Sequence, residues 1–90
     1  MKIKVENLMN LSYENGVAVL EKNGYYENGS GSPDGADARA LKAGDRFFTD
    51  VYFVTEDEIG NEHTISFVQE WEKGESEEED RLISERWEEV

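Results

Sequence analysis

The sequence predicts a single α+β domain. Its centre is an antiparallel sheet of three or four strands, built on a 46–55/63–72 hairpin and packed by two or three short helices. Three observations predict this. Residues 45–73 hold the densest apolar sequence in the chain, as two β-rich runs split by one polar turn. Two further stretches, 12–23 and 76–90, carry apolar residues at helical spacing behind a capping serine. The chain is 90 residues long, the size of one domain spanning 1–90 with a modest core.

Taken in order, Lys2–Glu6 alternates basic and apolar residues and predicts a short edge strand with Ile3 and Val5 on one face. Residues 12–23 carry two competing signals. Asn15-Gly16 between apolar runs is a hairpin signal, whereas Tyr13, Val17 and Leu20 fall at helical spacing behind Ser12. The end of the segment favours the helix. Gly24 suits a left-handed stop, and Leu20 then meets Tyr25 across it, as in a Schellman motif. Gly16 inside this helix costs about 1 kcal/mol relative to Ala. Tyr25-Tyr26-Glu27 reads as a short strand, and residues 28–36 as a flexible glycine- and serine-rich surface loop. Asp37–Ala43 reads as a short helix stopped by Gly44.

In the hairpin, Phe47, Thr49, Val51, Phe53 and Thr55 share one face, and Phe48, Asp50, Tyr52, Val54 and Glu56 the other. Both faces are partly apolar, so this strand is expected at the centre, covered on both sides near Tyr52–Val54. The return strand places Ile65, Phe67 and Trp71 opposite Thr64, Ser66, Val68 and Glu70. Gly60 and Asn61 suit the positive φ of a hairpin turn, and Ile59 is expected to pack beneath it. Ser76 and Glu79 form a capping-box pattern, and Leu82, Ile83, Arg86, Trp87 and Val90 make one helical stripe. The last element is therefore expected to be an amphipathic helix over 77–88, docked on the hairpin through Leu82, Ile83 and Trp87.

Charge is the compositional outlier. The chain carries 22 acids and 9 bases, a formal net charge of −13. Residues 1–55 account for only −2, and residues 56–90 for −11. Direct binding to nucleic acid or anionic lipid needs a basic footprint and is not expected. There is no cysteine, which removes disulfides, thiolate catalysis and cysteine-ligated zinc. No apolar run reaches the roughly 18 residues of a membrane helix. The N-terminal residues show no apolar signal-peptide core, and a cytoplasmic location is expected.

Catalytic and metal signatures are weak. His63 beside Glu62 has no visible acid–base or zinc partner and reads as a surface strand residue. Asp34/Asp37 and Glu56/Asp57/Glu58/Glu62 lack the spaced oxygen ligands of a calcium loop. Gly29, Gly31 and Gly35 do not form a phosphate-binding fingerprint. Carboxylates are too abundant to single out an acid–base pair, and the tyrosines and tryptophans fit core packing. No enzyme activity, cofactor or metal is expected.

The acids themselves are the remaining candidate. Residues 70–90 carry a net −7; if mostly helical they would span roughly 30 Å, where one DNA strand carries roughly nine charges. The expected partner-binding residues are Glu70, Glu72, Glu75, Glu77, Glu78, Glu79 and Asp80, with Glu56, Asp57 and Glu58 as a second cluster. Glu70 and Glu72 share a strand face. The function this implies is a small acidic, non-enzymatic binding protein. It would dock on a basic nucleic-acid-binding protein, as DNA-mimic inhibitors of the phage or mobile-element style do. The alternative is an assembly module, forming homo- or hetero-oligomers (a homodimer among them) through its aromatic hairpin or C-terminal helix, with the charge serving solubility.

Overall fold

The computed structural model describes residues 3–90. It is an α+β fold: one four-stranded antiparallel sheet in the order β1-β2-β3-β4, with two helices. The strands are β1 (Tyr26–Gly31), β2 (Arg46–Glu56), β3 (Glu62–Glu72) and β4 (Arg81–Glu89); the helices are α1 (Tyr13–Lys22) and α2 (Gly35–Ala40). No helix among the described residues is long and apolar enough to cross a membrane.

The hairpin forms as the alternation requires. Phe53 pairs with Ile65, Val51 with Phe67 and Phe47 with Trp71. These side chains point to one face, joined there by Trp87 opposite Phe67. That face is covered by α1. The Tyr13 ring lies 4.9 Å from Phe67 and stacks at 6.3 Å with Trp87. The core cluster is Leu8, Leu20, Tyr25, Phe53, Ile65, Phe67 and Trp87. Val54, Ser66 and Val68 are buried on the opposite face, shielded by their neighbours in the strands. At the turn, Gly60 has the positive φ, and Asn61 does not. Ile59 is 82% exposed and does not pack under the turn, because Asp57 folds it outward by accepting a hydrogen bond from its N–H.

The α1 reading holds at both ends. Ser12 Oγ accepts from the Asn15 N–H at 3.3 Å. Tyr25 N–H donates to the Leu20 carbonyl and Gly24 N–H to that of Glu21, with Gly24 at φ 86°. This is the Schellman pattern, and Leu20 and Tyr25 meet in the core.

Four further expectations need correction. The predicted C-terminal helix over 77–88 is a strand. Only Glu77–Glu79 makes a 3-10 turn, the Ser76 side chain accepts no capping bond, and Arg81–Glu89 is β4. Pairing outweighs the local helix signals: the strand gives Arg81 a partner in Glu72 across the ladder. It also covers the second edge of β3. A bulge at Ile83 shifts the alternation, so Trp87 is buried while Leu82 and Ile83 are left largely exposed.

The edge strand expected at Lys2–Glu6 is not formed from Ile3 onward; Lys2 lies outside the described residues. Val5–Asn7 is a 3-10 turn that carries Leu8 into the core, and Ile3 N–H donates to the Tyr25 hydroxyl. The glycine-rich loop is shorter than expected, since β1 runs on through Gly31 with a bulge between Glu27 and Gly29. Finally, α2 begins and ends earlier than the predicted 37–43 helix; Lys42 N–H instead bonds the Asp45 carboxylate in a turn into β2.

Candidate functional site

The acidic residues singled out from the sequence fall into two groups at opposite ends of the hairpin. Glu56, Asp57 and Glu58 lie at the β2–β3 turn. Glu70 and Glu72 lie at the far end of β3, and Glu75, Glu77, Glu78, Glu79 and Asp80 in the connection to β4. An 11-residue strand separates the ends by roughly 33 Å. The acidic helix expected over 77–88 does not exist, and the charge of residues 70–90 is divided among a strand end, a loop and β4.

Several of these acids are occupied by the fold. Asp57 Oδ1 accepts from the N–H groups of Ile59 and Asn61, at 3.0 and 2.8 Å. Those bonds, Asn61 first, hold its pKa below the ordinary carboxylate value. His63 stands 3.7 Å from Asp57 and is partly buried, so it is less of a surface residue than the sequence implied. Asp80 Oδ1 accepts from Gly74 N–H at 2.9 Å and from Lys73 Nζ at 3.2 Å, and its pKa is likewise lowered, the Gly74 bond contributing most. Glu70 and Glu72 share the sheet face turned away from α1, as the alternation implied. Arg46 faces both of them, and Arg81 Nη2 reaches Glu72 at 3.0 Å.

The others are unengaged. Glu56, Glu58, Glu75, Glu77, Glu78 and Glu79 are exposed, and their side chains hold no hydrogen bond or ion pair among the described residues. Glu85, Glu88 and Glu89 extend the acidic series along β4, the outer strand between the two ends. Arg81 and Arg86 interrupt it, and Arg86 is held by Glu88. The result is an acidic margin around a thin body of 47 × 27 × 16 Å.

Two features were not read from the sequence. The sheet face away from α1 exposes Tyr26 and Phe48, each at 51%, with Arg86 set 5.8 Å above the Phe48 ring. Strand alternation placed Phe48 there, but the strand state of Arg86 had to be known to bring the two together. The second is a pocket of about 350 Å³ between α2 and the Phe47 end of the sheet. It is lined by two stretches far apart in sequence, 32–47 and 73–80, and no local pattern marks it. No protein-family model, curated protein or solved structure matches this chain.

Proposed function

We propose that this is a non-enzymatic binding protein whose exposed carboxylates dock on a basic, nucleic-acid-handling protein and occupy the surface that otherwise holds phosphates. This is the action of a DNA-mimic inhibitor of the phage or mobile-element type. One observation carries the reading: a thin, elongated body with unpaired acids at both ends and further acids along the edge strand joining them. A net −13 along a 47 Å axis is one charge per about 3.6 Å, against one per about 3.4 Å for a DNA strand. Charge of this kind steers association and sets its salt dependence.

Capture of a partner at low and high salt, followed by competition with duplex DNA, tests the reading. Binding is expected to weaken steeply with salt and to be displaced by DNA. Two variants then locate the contact: Glu75→Lys with Glu77→Lys and Glu78→Lys, and separately Glu56→Lys with Glu58→Lys. Asp57 and Asp80 stay in place because they hold turns together. If both variants, shown folded by circular dichroism, bind as tightly as the parent, the acids are only a solvated surface.

A second reading is supported by the half-exposed Tyr26 and Phe48 on the open sheet face. In that case the protein is an assembly module. Phe48→Ser would then abolish association, while both charge variants and added DNA leave it unchanged.

A further inference from the structure

The pocket between α2 and the sheet has an apolar wall and an anionic rim. Pro33, Ala38 and Leu41 form one side, and Phe47 the other. The Phe47 ring stacks with Trp71 at 6.4 Å, with planes 11° apart. The rim is Glu77, Asp80 and Lys73. The Lys73 amine is committed, donating to Asp80 Oδ1 and to the Gly74 carbonyl. Asp80 Oδ2 accepts no hydrogen bond, although the carboxylate is paired with Lys73, and the Glu77 carboxylate holds no hydrogen bond or ion pair among the described residues. With Glu75, Glu78 and Glu79 in the same connection, the field at the mouth is negative.

We propose that this pocket receives one arginine side chain of the basic partner. The proposal rests on the function given above and names the side chain that anchors it. The chemistry of an arginine fits in two parts. Its aliphatic stem buries against Ala38, Leu41 and Phe47 while the charged head stays at the wet rim. The guanidinium is planar and weakly hydrated, so it lies against an aromatic ring and turns its fork of N–H donors towards carboxylates. A lysine offers the stem and the charge but neither the plane nor the fork. Anchors of this kind, seated in a pocket and ringed by other contacts, supply much of the affinity of an interface.

The test is an amide-resolved NMR titration of the whole protein with three probes: N-acetyl-arginine amide, N-acetyl-lysine amide and the uncharged N-acetyl-norleucine amide. The arginine probe is expected to saturate in the millimolar range, as befits a single side chain. Its shifts should centre on Ala38, Leu41, Phe47 and Asp80, with norleucine about threefold weaker or worse. Ala38→Phe, which fills the pocket, should abolish saturation. Glu77→Gln should reduce the arginine preference over norleucine without moving the fold. Two results would overturn the proposal: arginine shifts spread over Glu75–Glu79 and unaltered in Ala38→Phe, or norleucine binding as tightly as arginine. The two readings fail separately. Loss of partner binding in the charge-reversed variants with no pocket saturation sinks the pocket alone. Pocket saturation with a partner that DNA does not displace sinks the mimic alone.

Discussion

The indole of Trp87 occupies the space where a Cβ of Gly16 would stand. A methyl built on Gly16 would lie 2.7 Å from Trp87 Cε2, well inside contact distance. The same indole donates from Nε1 to the Leu11 carbonyl at 3.3 Å. Read from the sequence, Gly16 is a helix weakness. In the fold it is the opening that lets α1 approach β4.

Gly16→Ala is therefore expected to destabilise the protein by about 1–3 kcal/mol through overpacking, despite the better helix propensity of alanine. Trp87→Ala should cost about 3 kcal/mol or more. In the Trp87→Ala background, Gly16→Ala should become neutral or stabilising. A double-mutant cycle in urea measures this coupling, and additive effects would refute the contact.

The two serines that precede acidic helical signals should behave differently. Ser12→Ala removes a formed cap and is expected to cost about 1 kcal/mol. The Ser76 side chain caps nothing, so Ser76→Ala should change stability by less than about 0.5 kcal/mol. Equal losses at both positions would mean that a C-terminal helix forms after all.

Stability should rise with moderate salt. The unpaired acids of the margin repel one another, and the screening length falls to about 10 Å at 0.1 M. The melting temperature is expected to increase from about 10 to 300 mM NaCl, and Glu77→Gln with Glu78→Gln should give part of that increase in low salt. A flat melting curve would show that the local arginine pairs already balance the field.

Asp57 and Asp80 give the acid limb a specific shape. Both have folded-state pKa values below the unfolded value, so each contributes stability that is present above about pH 4 and lost as pH falls through its folded pKa. Asp80→Asn should destabilise the protein at pH 7, and its deficit relative to the parent should shrink towards pH 2. Denaturation midpoints across that range check it, and a deficit independent of pH would assign the loss to packing.

The legible parts of this fold are those fixed by neighbours in sequence. Ser12, Gly24 and the Leu20–Tyr25 contact define α1 within fourteen residues, and the alternation from Phe47 to Trp71 defines the hairpin and its faces. β4 was illegible for the opposite reason. Ser76, Glu79 and the Leu82/Ile83/Trp87 spacing satisfy a helix locally, and only the unpaired edge of β3 outweighs them. The bulge at Ile83 also hides the two-residue period that would have announced a strand. The burial of Trp87 was foreseeable, but its route into the core was not. Among the acids, residue type alone gave the candidates. Which of them are tied into turns, as Asp57 and Asp80 are, depends on backbone N–H groups that a sequence does not display.

The hydrogen bond from Trp87 to Leu11 spans 76 positions of the chain. Each strand pairs with the one before it, so the sheet can zip up in the order of synthesis. The first helix cannot follow that order. Its docking surface is unfinished until Trp87 is in place on β4, so α1 can be fully secured only once the last strand has paired. The earliest helix made is thus among the last elements to be secured.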